Sequence, residues 1–151
     1  MSHEYVVGPV EATRAPFLDL SQADWEAMLG EVRRLFLGAR DFARDCEGGG
    51  RIVFVSAAAA VRPIVGAALE GVAGGFLTTA CQVAAVELAD RGITANVVVP
   101  ALEPDRQPVD AVIEFLLSEP ARGVTGAVIA ADGGFSITKA SEPSPLLDRR
   151  S

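Results

Sequence analysis

The chain has two cysteines among its 151 residues, Cys46 and Cys81, and neither lies at a spacing used by metal sites or redox motifs. They read as reduced thiols in a cytoplasmic protein. No Lys/Arg cluster is present and the net charge is −7, which argues against nucleic acid or an anionic membrane surface as a partner. The opening Met1-Ser2-His3-Glu4-Tyr5 lacks the basic start and apolar core of a signal peptide. There is no internal repeat. Half of the residues are hydrophobic, rather many for a soluble chain, so part of the surface is expected to be covered by something else. A chain of this length fits one domain and can bury about two thirds of its unfolded surface without disulfides or metals.

The stretch from Gly50 to Pro100 sets the architecture. Two β-branched apolar runs, Ile52–Val55 and Ile93–Val99, flank an Ala-rich segment long enough for a helix, which makes a βαβ unit and hence a parallel sheet. Gly92 falls where a left-handed C-cap is needed, and Pro100 closes the second strand. The helix between them, expected over 65–88, carries only Glu70 and Glu87 as charges. Without a polar stripe it calls for a second burial partner, and Gly71, Gly74 and Gly75 would let another backbone come close. Ile64 to Val86 is also long enough to cross a membrane, but Glu70, Gln82 and the flanking strands count against that reading.

Tyr5–Val7 suits a short strand. Ser21 opens a strong helix, with a capping-box pattern to Asp24 and Trp25, Met28, Leu29, Val32, Leu35, Phe36 and Phe42 at helical spacing. Gly48-Gly49-Gly50 follows a helix and precedes a strand, the reverse of a phosphate-cradling loop, and reads as a connector. Pro108 suits the first turn of a further helix with a stripe of Val109, Val112, Ile113, Leu116 and Leu117. Val124–Ala130 reads as a last strand before the turn Asp132-Gly133-Gly134. Residues 1–136 form the expected domain, and 137–151 read as a disordered tail.

Taken in order, Pro16–Trp25, Gly50–Ser56, Val86–Pro100, Phe115–Ser118, Val124–Gly126 and Asp132–Gly134 resemble the short-chain dehydrogenase/reductase family, particularly 3-oxoacyl-carrier-protein reductases. The resemblance runs from Tyr5 to Phe135. It implies an α/β, truncated Rossmann-like fold: the second half of a doubly wound parallel sheet, about four strands with flanking helices. The first half, with the Gly-rich loop and the adenine site, is not represented.

Counting from Glu87-Leu88-Ala89, the family's catalytic Tyr falls on Glu70 and its Lys on Gly74. The catalytic Ser falls on Ala57 and the Asn of the preceding helix on Arg33. The cofactor-side Asn-Asn-Ala-Gly leaves only Gly8, and the family's Pro-Gly becomes Pro100-Ala101. Every position of the tetrad differs, and no metal site is expected. In the family a Tyr hydroxyl protonates the carbonyl oxygen as hydride arrives, its pKa lowered by Lys. Glu70 has neither that lysine nor a nicotinamide beside it. No cofactor is therefore expected for this chain alone, although the family uses NAD(P).

The resemblance leaves three functional readings. One is a noncatalytic pseudoenzyme subunit that pairs with a second copy or with a full-length family paralogue through helices 21–46 and 65–90. Another is an NAD(P)-dependent oxidoreductase completed by a further polypeptide. The third is a nonfunctional remnant or a chain with a misplaced start. Arg33 and Glu70 are expected to pair across the old catalytic pocket, and Ala73→Arg or Leu77→Arg to break association. The strand at Tyr5–Val7 is expected to be a bare sheet edge.

Overall fold

A computed structural model describes residues 3–102 and 106–137. Its centre is a four-stranded parallel sheet whose spatial order matches the chain order: β1 (Glu4–Val7), β2 (Gly50–Val55), β3 (Ile93–Pro100) and β4 (Val128–Ala131). Helices α1 (Gln22–Asp45) and α3 (Ala68–Glu87) cover one face. Helix α4 (Arg106–Leu117) covers the other, and a one-turn helix α2 (Ala58–Val61) follows β2. The truncated Rossmann-like half-sheet is thus the observed fold.

The strands are apolar on both sides because both sides are covered. Val7, Ile52, Phe54, Ala95, Val97 and Val99 point into the α1/α3 layer, while Val53 and Val98 meet Val109 and Leu116 of α4. β1 hydrogen-bonds to β2 alone, and no strand lies on its other side among the described residues. Val6 on that edge is 42% exposed, although its register partner Val53 is fully buried.

Local signals act as the residue types dictate. Ser21 and Asp24 form a reciprocal capping box, Asp24 N–H donating to Ser21 Oγ at 3.1 Å and Ser21 N–H to Asp24 Oδ2 at 2.9 Å. The Ser21 hydroxyl also donates to Asp24 Oδ2 at 2.6 Å, and this bond foremost, with the Ser21 N–H, holds the Asp24 carboxyl below its ordinary value. Gly92 sits at φ 69° beyond the α3 end, where a side chain would be strained.

Helix α3 begins at Ala68 rather than 65. Gly66, at φ 79°, turns the chain there, and α2 occupies part of the preceding stretch. The last strand also starts later than its residues suggest, at Val128 instead of 124. Before it, backbone bonds from Gly126 N–H to Ala95 O and from Val97 N–H to Ala127 O, both at 2.8 Å, alternate with side-chain bonds: Asn96 Nδ2 donates to Val124 O at 2.7 Å, Ala127 N–H to Asn96 Oδ1 at 3.0 Å, and Ala95 N–H to Thr125 Oγ1 at 3.2 Å. Ile137 closes a turn on Gly134. The rest of the expected tail, 138–151, lies outside the described residues.

The apolar girdle of α3 divides in two. Leu69, Ala73, Leu77, Cys81 and Ala85 are buried on the sheet side. Ala73 and Leu77 are therefore core residues, and arginine there would disrupt folding before association. Gly71 and Gly74 do admit a neighbouring backbone, but it is the chain's own: a Cβ on Gly71 would lie 3.0 Å from Ala59 O, and one on Gly74 2.8 Å from Ala57 N. Gly75 faces open space. Helix α3 is long and apolar enough to cross a membrane by length and composition, yet here it is the layer that seals the sheet.

Candidate functional site

The loops after β1, β2 and β3 meet at the carboxyl end of the sheet, where ligands bind in doubly wound folds. They enclose a cleft of about 320 Å³. Gly8 follows β1, Ser56 and Ala57 follow β2, Pro100 and Ala101 close β3, and Glu70 projects from the first turn of α3. The topology therefore brings together Gly8, Ala57, Glu70, Pro100 and Ala101. Arg33 is exposed on α1 and is not part of the cleft lining.

Glu70 does not reach for Arg33. Its carboxylate is held by Arg14, Nε to Oε2 at 2.7 Å and Nη2 to Oε1 at 3.0 Å. The loop carrying Arg14 is tied to the start of α3 by Ala15 N–H donating to Gly66 O at 3.0 Å. Arg14 lines the cleft together with Glu70, whereas Arg33 does not. Nothing in the local sequence around Arg14 announced the pairing, which depends on a loop with no hydrophobic period.

Beneath Glu70 lies a small hydroxyl network. Ser56 Oγ and Thr78 Oγ1 both donate to Gly74 O, at 2.9 and 2.8 Å, and sit 3.1 Å apart. Each hydroxyl carries one proton, so the bonds to Gly74 O and the contact between the two hydroxyls share two donors, and no basic group is among these partners. Position 74 is filled by its surroundings: a Cβ there would also lie 2.9 Å from Ser56 Oγ and 3.0 Å from Ala57 Cβ. A lysine at this point does not fit the observed backbone.

A pyrophosphate is bound by a Gly-rich turn that leaves a strand and opens a helix. Among the described residues no such turn occurs: β2 leads through Ser56 and Ala57 into α2, and Gly8 leads into Pro9 and a loop. No cluster of three or more metal-ligating side chains is present among the described residues.

The second cavity of note is a groove of about 940 Å³ between α1 and α3, floored by Ile52 and Phe54. Phe36 and Phe76 bridge it edge to face, with ring centroids 6.0 Å apart. Both remain over 40% exposed.

The fold, the carboxyl-end cleft and the sequence agree with one class. The chain belongs to the short-chain dehydrogenase/reductase family, and the model described as enoyl-(acyl carrier protein) reductase matches residues 6–106. No curated protein matches the sequence. Among solved structures, the promiscuous reductase LugOII, which catalyses keto-reduction at C1 during lugdunomycin biosynthesis, has a TM-score of 0.84 at 24% identity, over 90% of this chain and 61% of that one. A short-chain dehydrogenase/reductase from Serratia marcescens gives 0.80 at 27%, over 89% and 66%. A blue fluorescent protein from a metagenomic library, solved with NADPH, gives 0.79 at 25%, over 88% and 64%. The chain thus spans somewhat under two thirds of these structures.

Proposed function

We propose that this chain is a noncatalytic member of the family that serves as a partner subunit, docking through α1 and α3 onto a second copy or onto a full-length family reductase. The observation that carries the reading is the unpartnered apolar face of the helix pair. Val72 and Val83, about half exposed, border the groove bridged by Phe36 and Phe76, and Val86 on the same helix is 79% exposed. A run of large apolar side chains on a monomer's surface marks an interaction site. The cleft supports the noncatalytic half of the reading: Glu70 is neutralised by Arg14, Ala57 offers no hydroxyl, and position 74 has no room for a base. On this reading the chain alone binds neither NADH nor NADPH.

The second reading, an oxidoreductase completed by another polypeptide, draws on a different feature. β1 is an edge strand, and Val6 beside the buried Val53 is left uncovered, as it would not be inside a wider sheet. NADPH in one solved relative is consistent with such a completed enzyme.

Size exclusion with light scattering, run on the chain alone and coexpressed with a full-length family reductase, decides between monomer and complex. The expected result is a complex in at least one sample, lost on Phe76→Arg, which places an unpaired charge in the interface without touching the sheet core. A monomer in both samples refutes the subunit reading. Calorimetric titration with NADH and NADPH tests the other half, and micromolar binding by the chain alone overturns it.

A further inference from the structure

The end of the sheet away from the cleft holds a separate cavity of about 340 Å³, walled by the Gly48–Gly50 connector and by Glu119 and Arg122. Arg51 and Thr94 also line it. They are register partners on β2 and β3, so their side chains leave the same face side by side.

Their donors are not all used. Arg51 Nη2 donates to Glu119 Oε2, yet Arg51 Nε and Thr94 Oγ1 are sealed from solvent and have no protein partner. Unpaired buried donors are uncommon and ask for a reason. Arg122 Nη1 stands 3.8 Å from the other oxygen of Glu119, so two guanidiniums share one carboxylate. That carboxylate belongs to a side chain that is 70% exposed. Glu4, the register partner of Arg51 on β1, does not line the cavity. The cavity lining itself thus carries two guanidiniums against the single carboxylate of Glu119, with Glu4 outside it on the neighbouring strand.

We propose that this cavity is a binding site for a tetrahedral oxyanion, phosphate or sulfate, free or as a monoester. Glu119 fills the site in its absence but satisfies only part of the donor set. A tetrahedral anion presents enough oxygens for Arg51 Nε and Nη2 together, the fork geometry that guanidinium prefers, with Thr94 and Arg122 as further donors. Entry of the anion displaces the Glu119 carboxylate outward, where it is already largely solvated.

The test is calorimetric titration of the full chain with inorganic phosphate, sulfate and glycerol 3-phosphate against chloride at matched ionic strength. Saturable one-site binding of phosphate is expected, tightened at least about threefold by Glu119→Gln, which removes the internal competitor, and weakened at least about threefold by Arg122→Gln or Thr94→Val. Arg122 is on the surface, so its variant folds whatever Arg51 contributes to stability. Glycerol 3-phosphate binding as well as phosphate assigns the site to monoesters, and its exclusion assigns it to the free anion; either supports the proposal. No saturable phosphate binding in both the parent chain and Glu119→Gln overturns it, as does binding that is indifferent to Arg122→Gln and Thr94→Val.

Discussion

Arg14 grips both carboxylate oxygens of Glu70 from a loop 56 residues away in sequence, and so pins that loop across the mouth of the cleft. Arg14 is about half exposed and Glu70 about one fifth, so solvent screens the pair and its contribution to global stability is limited to about 0–1 kcal/mol. The local effect is larger. Arg14→Ala is expected to leave the denaturation midpoint nearly unchanged while amide exchange at Ala15, whose N–H donates to Gly66 O, speeds up. Unchanged exchange at Ala15 would show that the loop is held by its other contacts.

Restoring the family residues is expected to fail. Gly74→Lys forces the helix away from Ala57 and Ser56, a cost of roughly 1–3 kcal/mol for overpacking. The Glu70→Tyr/Gly74→Lys double variant is therefore expected to be less stable than the parent in urea and to show no NADPH oxidation with carbonyl substrates. A double variant of parental stability contradicts the packing described at position 74.

Asn96 is buried to 1% exposure and stands in for backbone at the start of β4, bonding Val124 and Ala127 through both ends of its amide. Asn96→Leu strands a carbonyl and an N–H in the interior and is expected to cost about 2–4 kcal/mol, taking the two losses together. Equilibrium denaturation measures the cost, and exchange at Ala127 should be the first protection lost. A shift below about 0.5 kcal/mol, an ordinary surface effect, would show that water replaces the amide.

Cys81, on the sheet-facing side of α3, is fully buried, and burial pushes its thiol up to about 12 from an ordinary 9.0. The folded state thus holds its proton over a range in which the unfolded state releases it. The contribution of this group to stability is full below about pH 9 and falls as pH rises toward 12. At pH 8, a thiol reagent is expected to modify Cys81 only at the rate of opening, as mass spectrometry of the labelled peptide would report. Rapid labelling of the native protein would place Cys81 outside the core.

The parts of the fold that could be read in the residues are those fixed by short-range chemistry. Ser21 and Asp24 cap α1, Gly92 closes α3, and Ile52–Val55 and Ile93–Val99 pair as parallel strands because their apolar runs admit no exposed face. What could not be read there depends on partners distant in the chain. Arg14, on a loop without periodicity, pairs with Glu70, and Arg33 does not line the cleft. The 124–127 stretch is apolar enough for a strand, yet Asn96 and Thr125 take some of its hydrogen bonds. The glycines of α3 indicated a close neighbour correctly, but periodicity does not say whose backbone it is, and Ser56–Ala59 of the same chain fills that place at Gly71 and Gly74. Positions 8, 57, 70, 100 and 101 do converge on one cleft, because strand ends gather in any doubly wound sheet.

The identity of spatial and chain order across the four strands bears on how the protein is made. Each strand docks beside the one synthesised just before it, so during translation no strand waits for a later one to supply its ladder. Sequence separations within the sheet are those of neighbouring crossovers alone, which keeps the loop-closure entropy of each step modest. A sheet laid down in this sequential way is also modular: each ladder depends only on the two strands that it joins.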